Sequence, residues 1–394
     1  MTKATTPIVD FENTEYAFAM KSDEALKKSA WLFGMMSNAN LVNLGAKATL
    51  LALKMRLPIT WAIKQTIFEQ FCGGTTLLEC VPNIDKMAKY GVTTMLDYGT
   101  EAKQTETDFN KTMRSINTAI RFAKDNDTVQ VVVMKLTGLM PFDLLAKLNN
   151  GEKLNARESK IFQAGKKRVD SICYVACENE VQVYIDAEES WVQNPIDEIA
   201  MEMILRYNKK QAIVFNTYQM YRHDRLAYLK KTARIAHKNN AILGAKIVRG
   251  AYMDKERARA TRLNYTSPIQ ISKAKTDKDY NESLTYCLSN YKRISFCAAT
   301  HNAESSLLLA TMMEKRGLER NHPHITFCQL YGMSDNLTFN LSKAGFTASK
   351  YLVYGPVRDV VPYLLRRAQE NTSVTGDIGR ELKLIKKEVK RRKK

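Results

Sequence analysis

Along residues 1–84 apolar side chains recur at helical spacing, from Ala25, Leu26, Ala30, Trp31 and Phe33 through Leu78. Ser22-Asp23-Glu24 is a capping sequence ahead of them, and Pro58 and Gly73-Gly74 punctuate the run. From about residue 85 short apolar runs alternate with helical stretches. The runs are 93–98, 128–139, 181–188, 211–220, 242–253, 294–302, 324–333 and 349–357, each followed by a segment of helical period. In the fifth unit a long charged insertion comes between run and helix. Strands alternating with helices imply a parallel sheet with helical crossovers. Eight such units predict an α/β fold of the distorted (β/α)8 barrel type rather than an open doubly wound sheet. No GxGxxG follows the first strand and no GxxxxGK[ST] occurs, which excludes the common dinucleotide and P-loop sites. The expected organisation is a helical region over 1–84, a catalytic barrel over 85–372 and a basic tail over 373–394.

Every predicted strand begins apolar and ends polar: Asp97, Lys135, Asp186 with Glu188, Asn216, Lys246 with Arg249, His301 with Asn302, Gln329 and Tyr354. In a barrel these ends share the face where chemistry is found. The last strand leads into a helix whose Tyr363, Arg366, Arg367 and Glu370 fall at i, i+3, i+4 and i+7, one face. Two adjacent guanidinium forks suit a carboxylate or a phosphate; the plainer alternative is a solvated face with Arg–Glu pairs. Only His301 sits at a strand end among the histidines, so no metal site is expected. A lysine in an apolar strand, Lys135 or Lys246, leaves an aldolase-like Schiff base as an alternative.

Composition changes the picture in two respects. The formal charge is +19, partly concentrated between Arg380 and Lys394, a stretch suited to anionic headgroups or to solvent. It lacks the interleaved aromatics of a nucleic-acid-binding segment, so no nucleic-acid partner is expected. The seven cysteines show no CxxC spacing and sit mostly in apolar runs, pointing to reduced core residues in a reducing compartment. The acidic N-terminal stretch argues against a targeting peptide. The apolar run 41–53 is shorter than a membrane span.

Five ordered motifs then become recognisable: Val183–Glu189 (VYIDAEE), Lys246–Tyr252 (KIVRGAY), Ala299–Asn302 (ATHN), Gln329–Met333 (QLYGM), and Tyr354-Gly-Pro-Val followed by Pro362–Asn371 (PYLLRRAQEN). In order and on the expected strands, they resemble the proline dehydrogenase family, the flavoenzymes also called proline oxidases. The region after Tyr252 is more similar to the monofunctional, mitochondrial-type branch than to the long bifunctional bacterial proteins.

The resemblance implies non-covalent FAD in the barrel and L-proline at the flavin face. It implies Arg366, Arg367 and Lys135 on the substrate carboxylate, Tyr363 and Tyr354 against the pyrrolidine ring, and Leu330 as an apolar wall. Glu370 would orient the arginines, and Asp186 would organise the polar network. Lys246 and Arg249 would approach the flavin, and Asn216, Gly250, Tyr252, Thr300, His301 and Asn302 would line the rest of its site. Two departures from the bifunctional branch, lysine for arginine at 246 and asparagine for glutamine at 216, alter reach and geometry. The family implies oxidation to Δ1-pyrroline-5-carboxylate and transfer of electrons to a membrane quinone. It also implies a separate pyrroline-5-carboxylate dehydrogenase downstream. The expected location is cytoplasmic, peripheral on the inner membrane, and a hydroxyproline dehydrogenase of the same fold is the alternative activity.

Overall fold

The computed structural model describes residues 8–55, 57–99, 103–373 and 377–393; the side chains of 369–373, 377 and 378 lie outside that description. All eight predicted strands form: β2 (Thr93–Tyr98), β3 (Val129–Met134), β4 (Gln182–Ile185), β5 (Val214–Gln219), β6 (Leu243–Val248), β7 (Ile294–Ala299), β8 (Ile325–Leu330) and β9 (Ala348–Tyr354). A short extra strand, β1 (Cys72–Gly74), precedes them. The hydrogen-bonded order is β1-β9-β2-β3-β4-β5-β6-β7-β8, with a further β9–β8 pairing that closes β2 to β9. Sequential order with closure is the topology of the (β/α)8 barrel, distorted here by β1. Every residue of β5 and of β9 is buried, as strands covered on both faces must be.

The chain divides into two compact units, residues 1–99, 301–303 and 328–394, and residues 100–300 and 304–327. The second holds β3 to β7 with their helices. Its register sets the site, because Thr217 of β5 pairs with Lys246 of β6, which pairs with Cys297 of β7. Partners in register point to the same side of a sheet.

In the first unit β1 runs parallel to β9, Cys72 opposite Val353 and Gly74 opposite Tyr354. Its glycines are there for space: a Cβ on Gly74 would lie 2.5 Å from the Cβ of Glu79. The charged C-terminal segment, expected as a tail, is a helix, Asp377–Arg391. Its Glu381, Leu384, Ile385 and Glu388 are buried, at i, i+3, i+4 and i+7. Arg392 donates to the carbonyls of Phe18 and Lys21, and Lys387 to that of Glu12. Burial alone would raise the Glu388 carboxyl, but the Arg391 and Arg392 guanidinium groups hold it down at about 2.

Glu381 behaves oppositely. Burial, with the nearby Asp335 carboxylate, pushes it up to about 7, against the pull of Lys21, Lys350 and the Ser334 N–H. A raised folded-state pKa means stability is fully present below pH 4.5 and is lost as pH rises towards 7. Glu381→Gln keeps an acceptor for Ser334 and removes the titration. Thermal melts should show the variant gaining on the parent at pH 8, by about 1–3 kcal/mol, with little difference at pH 5. Equal differences at both pH values would contradict this.

Candidate active site

The ends of β3, β4 and β6 bring three charged side chains together. Lys135 follows β3 directly, Asp186 follows β4, and Lys246 lies within β6. The Lys246 ammonium donates to Asp186 Oδ1 at 2.7 Å, and the Lys135 ammonium lies 3.5 Å from Oδ2. All three are at least nine-tenths buried. A carboxylate between two ammonium groups is a stable way to bury lysines, since each charge is met at short range. The trio itself carries one more positive than negative charge, so the chemistry it suits is the binding of an anionic or electron-rich group.

Side chains around the trio are fixed by hydrogen bonds that sequence reasoning did not single out. Glu188 accepts from the Thr137 N–H and hydroxyl at 3.1 and 2.5 Å. Gln219 donates to the Glu188 carbonyl at 2.8 Å and accepts from the Ala251 N–H at 3.3 Å, tying the segments after β4 and β6 together. Thr217, in register with Lys246, donates to the Ile185 carbonyl. The usable signal was strand parity, which places Thr217 and Gln219 on one side of β5 and Asn216 on the other.

Asn216 is accordingly not joined to the trio. Its amide donates to Asp197 of the Ser190–Tyr207 helix at 2.9 Å, and Asp197 also takes Gln193 and Arg225. Arg249 is held at the ends of β6 and β7: it bonds Asp277, Thr300 and Ser305 and stacks on Tyr280, 4.2 Å from the ring centroid. Arg249 and Thr300 are thus brought together as expected. Gly250 has φ +135°, and a Cβ there would lie 2.4 Å from the Tyr221 ring, so glycine is required for the backbone alone. Tyr252 is buried, with the Lys255 ammonium over its ring.

The remaining expected residues lie in the first unit. Tyr354 ends β9, its ring 5.4 Å from that of Tyr98. Its hydroxyl is buried with no hydrogen-bond partner among the described residues, and burial pushes the phenol well above its usual range. An unpartnered buried hydroxyl is costly unless something supplies a partner. Neighbouring Tyr351 shows the satisfied alternative, donating to Asp97 at 2.7 Å. Leu330 is half-buried at the end of β8.

The Val357–Ser373 helix carries Tyr363 and Arg367, both buried, with the guanidinium 5.4 Å from the tyrosine centroid, and the half-buried Arg366. This i, i+4 stack orients the guanidinium plane. The Glu370 side chain lies outside the described residues. His301 bonds the Ser334 hydroxyl at 2.8 Å, and Asn302 beside it is half-buried.

Comparison with known proteins identifies the family. Residues 80–380 match the family model described as proline dehydrogenase. Proline dehydrogenase 1, mitochondrial, of Dictyostelium discoideum is 33% identical over 384 residues, covering 86% of this chain and 67% of that protein. Hydroxyproline dehydrogenase of Xenopus laevis is 30% identical over 413 residues, covering 95% of this chain and 88% of that protein. The fold is shared with proline utilization A from Bdellovibrio bacteriovorus, with a TM-score of 0.70 at 22% identity. That match covers 94% of this chain and 40% of the larger one. With barrel topology and family match in agreement, this chain belongs to the proline dehydrogenase family and is an oxidoreductase.

Proposed function

We propose that this protein oxidises L-proline to Δ1-pyrroline-5-carboxylate with non-covalently bound FAD and passes the electrons to a membrane quinone. The observation that carries the reading is the buried Lys135–Asp186–Lys246 trio at the strand ends of a chain of this family. The donor set fits a flavin: buried ammonium groups suit the electron-rich edge of an isoalloxazine, and the Arg249–Thr300 pair suits polar or anionic parts of such a cofactor. Lys246, Arg249, Gly250, Tyr252, Thr300, His301 and Asn302 are the residues assigned to hold it. Asn216 acts through Asp197 on the Ser190–Tyr207 helix. FAD supplies, when bound, a two-electron acceptor for the hydrogen at the substrate's C5.

The chain's own residues bind and orient. Arg366 and Arg367, with Lys135, hold the substrate carboxylate, and charge-assisted bonds of that kind are short and directional. Fixing the carboxylate fixes C5, and such positioning lowers a barrier by several kcal/mol. Tyr363 and Tyr354 cover the ring, Leu330 forms an apolar wall, and Glu370 orients the arginine pair. Asp186 keeps Lys135 and Lys246 at fixed positions. Proline loses a hydride from C5 and a proton from nitrogen, leaving a C=N bond; it binds or reacts as the free amine, since no side chain is assigned as base.

The test is turnover. With L-proline and an artificial electron acceptor, the protein should form a cyclic imine that an aromatic amine can trap. Absence of product from protein that has bound FAD would refute the reading.

The Xenopus relative's name makes 4-hydroxyproline a second candidate substrate. Tyr354, buried at the end of β9, favours proline, because a tyrosine beside C4 leaves no room for a further hydroxyl. Tyr354→Ser should raise turnover of hydroxyproline relative to proline, by about tenfold, as expected when a steric clash worth roughly 1–3 kcal/mol is relieved. An unchanged ratio would remove Tyr354 as the discriminating residue. The aldolase alternative has no support in the family match. Peripheral contact with a membrane follows from the choice of a quinone acceptor, and the imine product calls for a separate pyrroline-5-carboxylate dehydrogenase.

A further inference from the structure

The helices ahead of the barrel carry a surface that the proline chemistry does not use. In the Ala39–Lys54 helix only Ala46 is buried. Leu41, Leu44 and Leu51 are 51%, 67% and 59% exposed, and Met55, just past its end, is 61% exposed. With Ala48 they fall at i, i+3, i+7, i+10 and i+14, one continuous apolar stripe. Leu50 on another side of the helix and Leu57 beyond its end are exposed as well, and Trp31 and Trp61 stand exposed in the neighbouring helices, Trp61 at 73%. Exposed apolar side chains clustered in this way mark an interaction surface.

Charge identifies the partner. Between Glu24 and Glu69 the sequence holds Lys27, Lys28, Lys47, Lys54, Arg56 and Lys64 and not one Asp or Glu. A protein surface built to meet a second protein mixes both signs around its apolar centre. An apolar stripe with exposed tryptophans nearby, on a helix whose charged residues, Lys47 and Lys54, are both positive, suits the headgroup zone of an anionic bilayer. Among the described residues no helix is long and apolar enough to cross a membrane, so the contact is one that lies on the surface. Lys28 and Lys64 pair with Glu69 and Glu79, and Lys387, Arg391 and the following Arg392 at the C-terminal end are engaged with Glu12, Glu15, Glu388 and Asp23 of the same unit.

We propose that the Ala39–Lys54 helix, with Met55, Leu57, Trp31 and Trp61, docks this protein on anionic lipid bilayers. The same helix packs against Val357–Ser373, which carries Tyr363, Arg366 and Arg367. Docking there sets the arginine-bearing helix beside the membrane, where a lipid-dissolved acceptor is concentrated. This rests on the quinone reading of the acceptor, but its readout does not depend on turnover.

The experiment is vesicle flotation of the flavin-loaded 394-residue chain. One set of vesicles is pure phosphatidylcholine and the other contains 30% phosphatidylglycerol (roughly the anionic fraction that gives a strong surface potential). The protein should float with the anionic set, and 0.5 M salt should reduce but not abolish this, since screening leaves the apolar part (about a 4 Å Debye length). Leu44→Gln/Leu51→Gln should lower binding at least tenfold while keeping the parent's circular dichroism and its proline–dye turnover.

Tryptophan emission should shift to shorter wavelength on addition of anionic vesicles. Binding by the double variant equal to the parent's would overturn the proposal. So would a variant that changes only the oligomeric state in lipid-free solution, since the stripe would then face a second copy. Failure of flotation with proline turnover intact removes the docking surface and leaves the enzymatic reading standing. Failure of turnover with flotation intact does the reverse.

Discussion

Arg367→Met should lower kcat/KM for L-proline by about a hundredfold or more, with FAD content unchanged. Removing one partner from a buried charge-assisted pair costs about 2–5 kcal/mol, and each 1.4 kcal/mol is a factor of about ten. Arg367 is the more buried of the two arginines and is stacked on Tyr363, so its fork is aimed before substrate arrives. Arg367→Lys keeps the charge but loses the planar fork and should recover only part of the loss. Steady-state kinetics on both variants decide the matter. A kcat/KM within about threefold of the parent for Arg367→Met, smaller than any buried charged bond is worth, would mean that Arg367 does not hold the substrate carboxylate.

Asp186→Asn should have the second large effect, and on stability as well as activity. The substitution removes the carboxylate between two buried ammonium groups, 2.7 and 3.5 Å away. Breaking a buried ion pair from one side costs about 3–5 kcal/mol. The urea midpoint should fall, and the FAD content of purified protein should fall with it. Adding Lys246→Met to Asp186→Asn removes one of the stranded charges and should restore part of the midpoint. The two changes should therefore be strongly non-additive, as expected for groups in contact. Additive effects, or an unaltered midpoint for Asp186→Asn, would show that the trio is not an electrostatic unit.

Much of the fold was legible because burial on both faces forces strands to be continuous apolar runs, and helical crossovers punctuate them. The end of β3 was less so: the apolar run continues to Leu139, but the strand stops at Met134 and Leu136–Gly138 form a tight 3-10 turn. That stop is what leaves Lys135 at the strand's end. β1 was missed because Gly73-Gly74 reads as a breaker, whereas the glycines serve close approach to Leu352 and Glu79. The C-terminal helix was hidden by its buried glutamates, which interrupt the apolar stripe that Leu384 and Ile385 would otherwise announce.

In the site, Lys135, Asp186 and Lys246 were visible as polar residues ending apolar strands. Asn216 fits that same pattern yet bonds Asp197. With every residue of β5 buried, hydropathy carried no information on which face each side chain takes. Glu188 was visible as a polar strand end, and parity groups Thr217 with Gln219, but which face of β5 meets Lys246 needed the register between strands, which a single sequence does not hold.

The most direct test of the account is an anaerobic absorbance spectrum of the purified protein, reconstituted with FAD where needed, before and after addition of L-proline. The account requires flavin bands that bleach on addition of proline and return with an electron acceptor. A protein that takes up no FAD, or one whose flavin bands are unchanged by saturating proline, would contradict it.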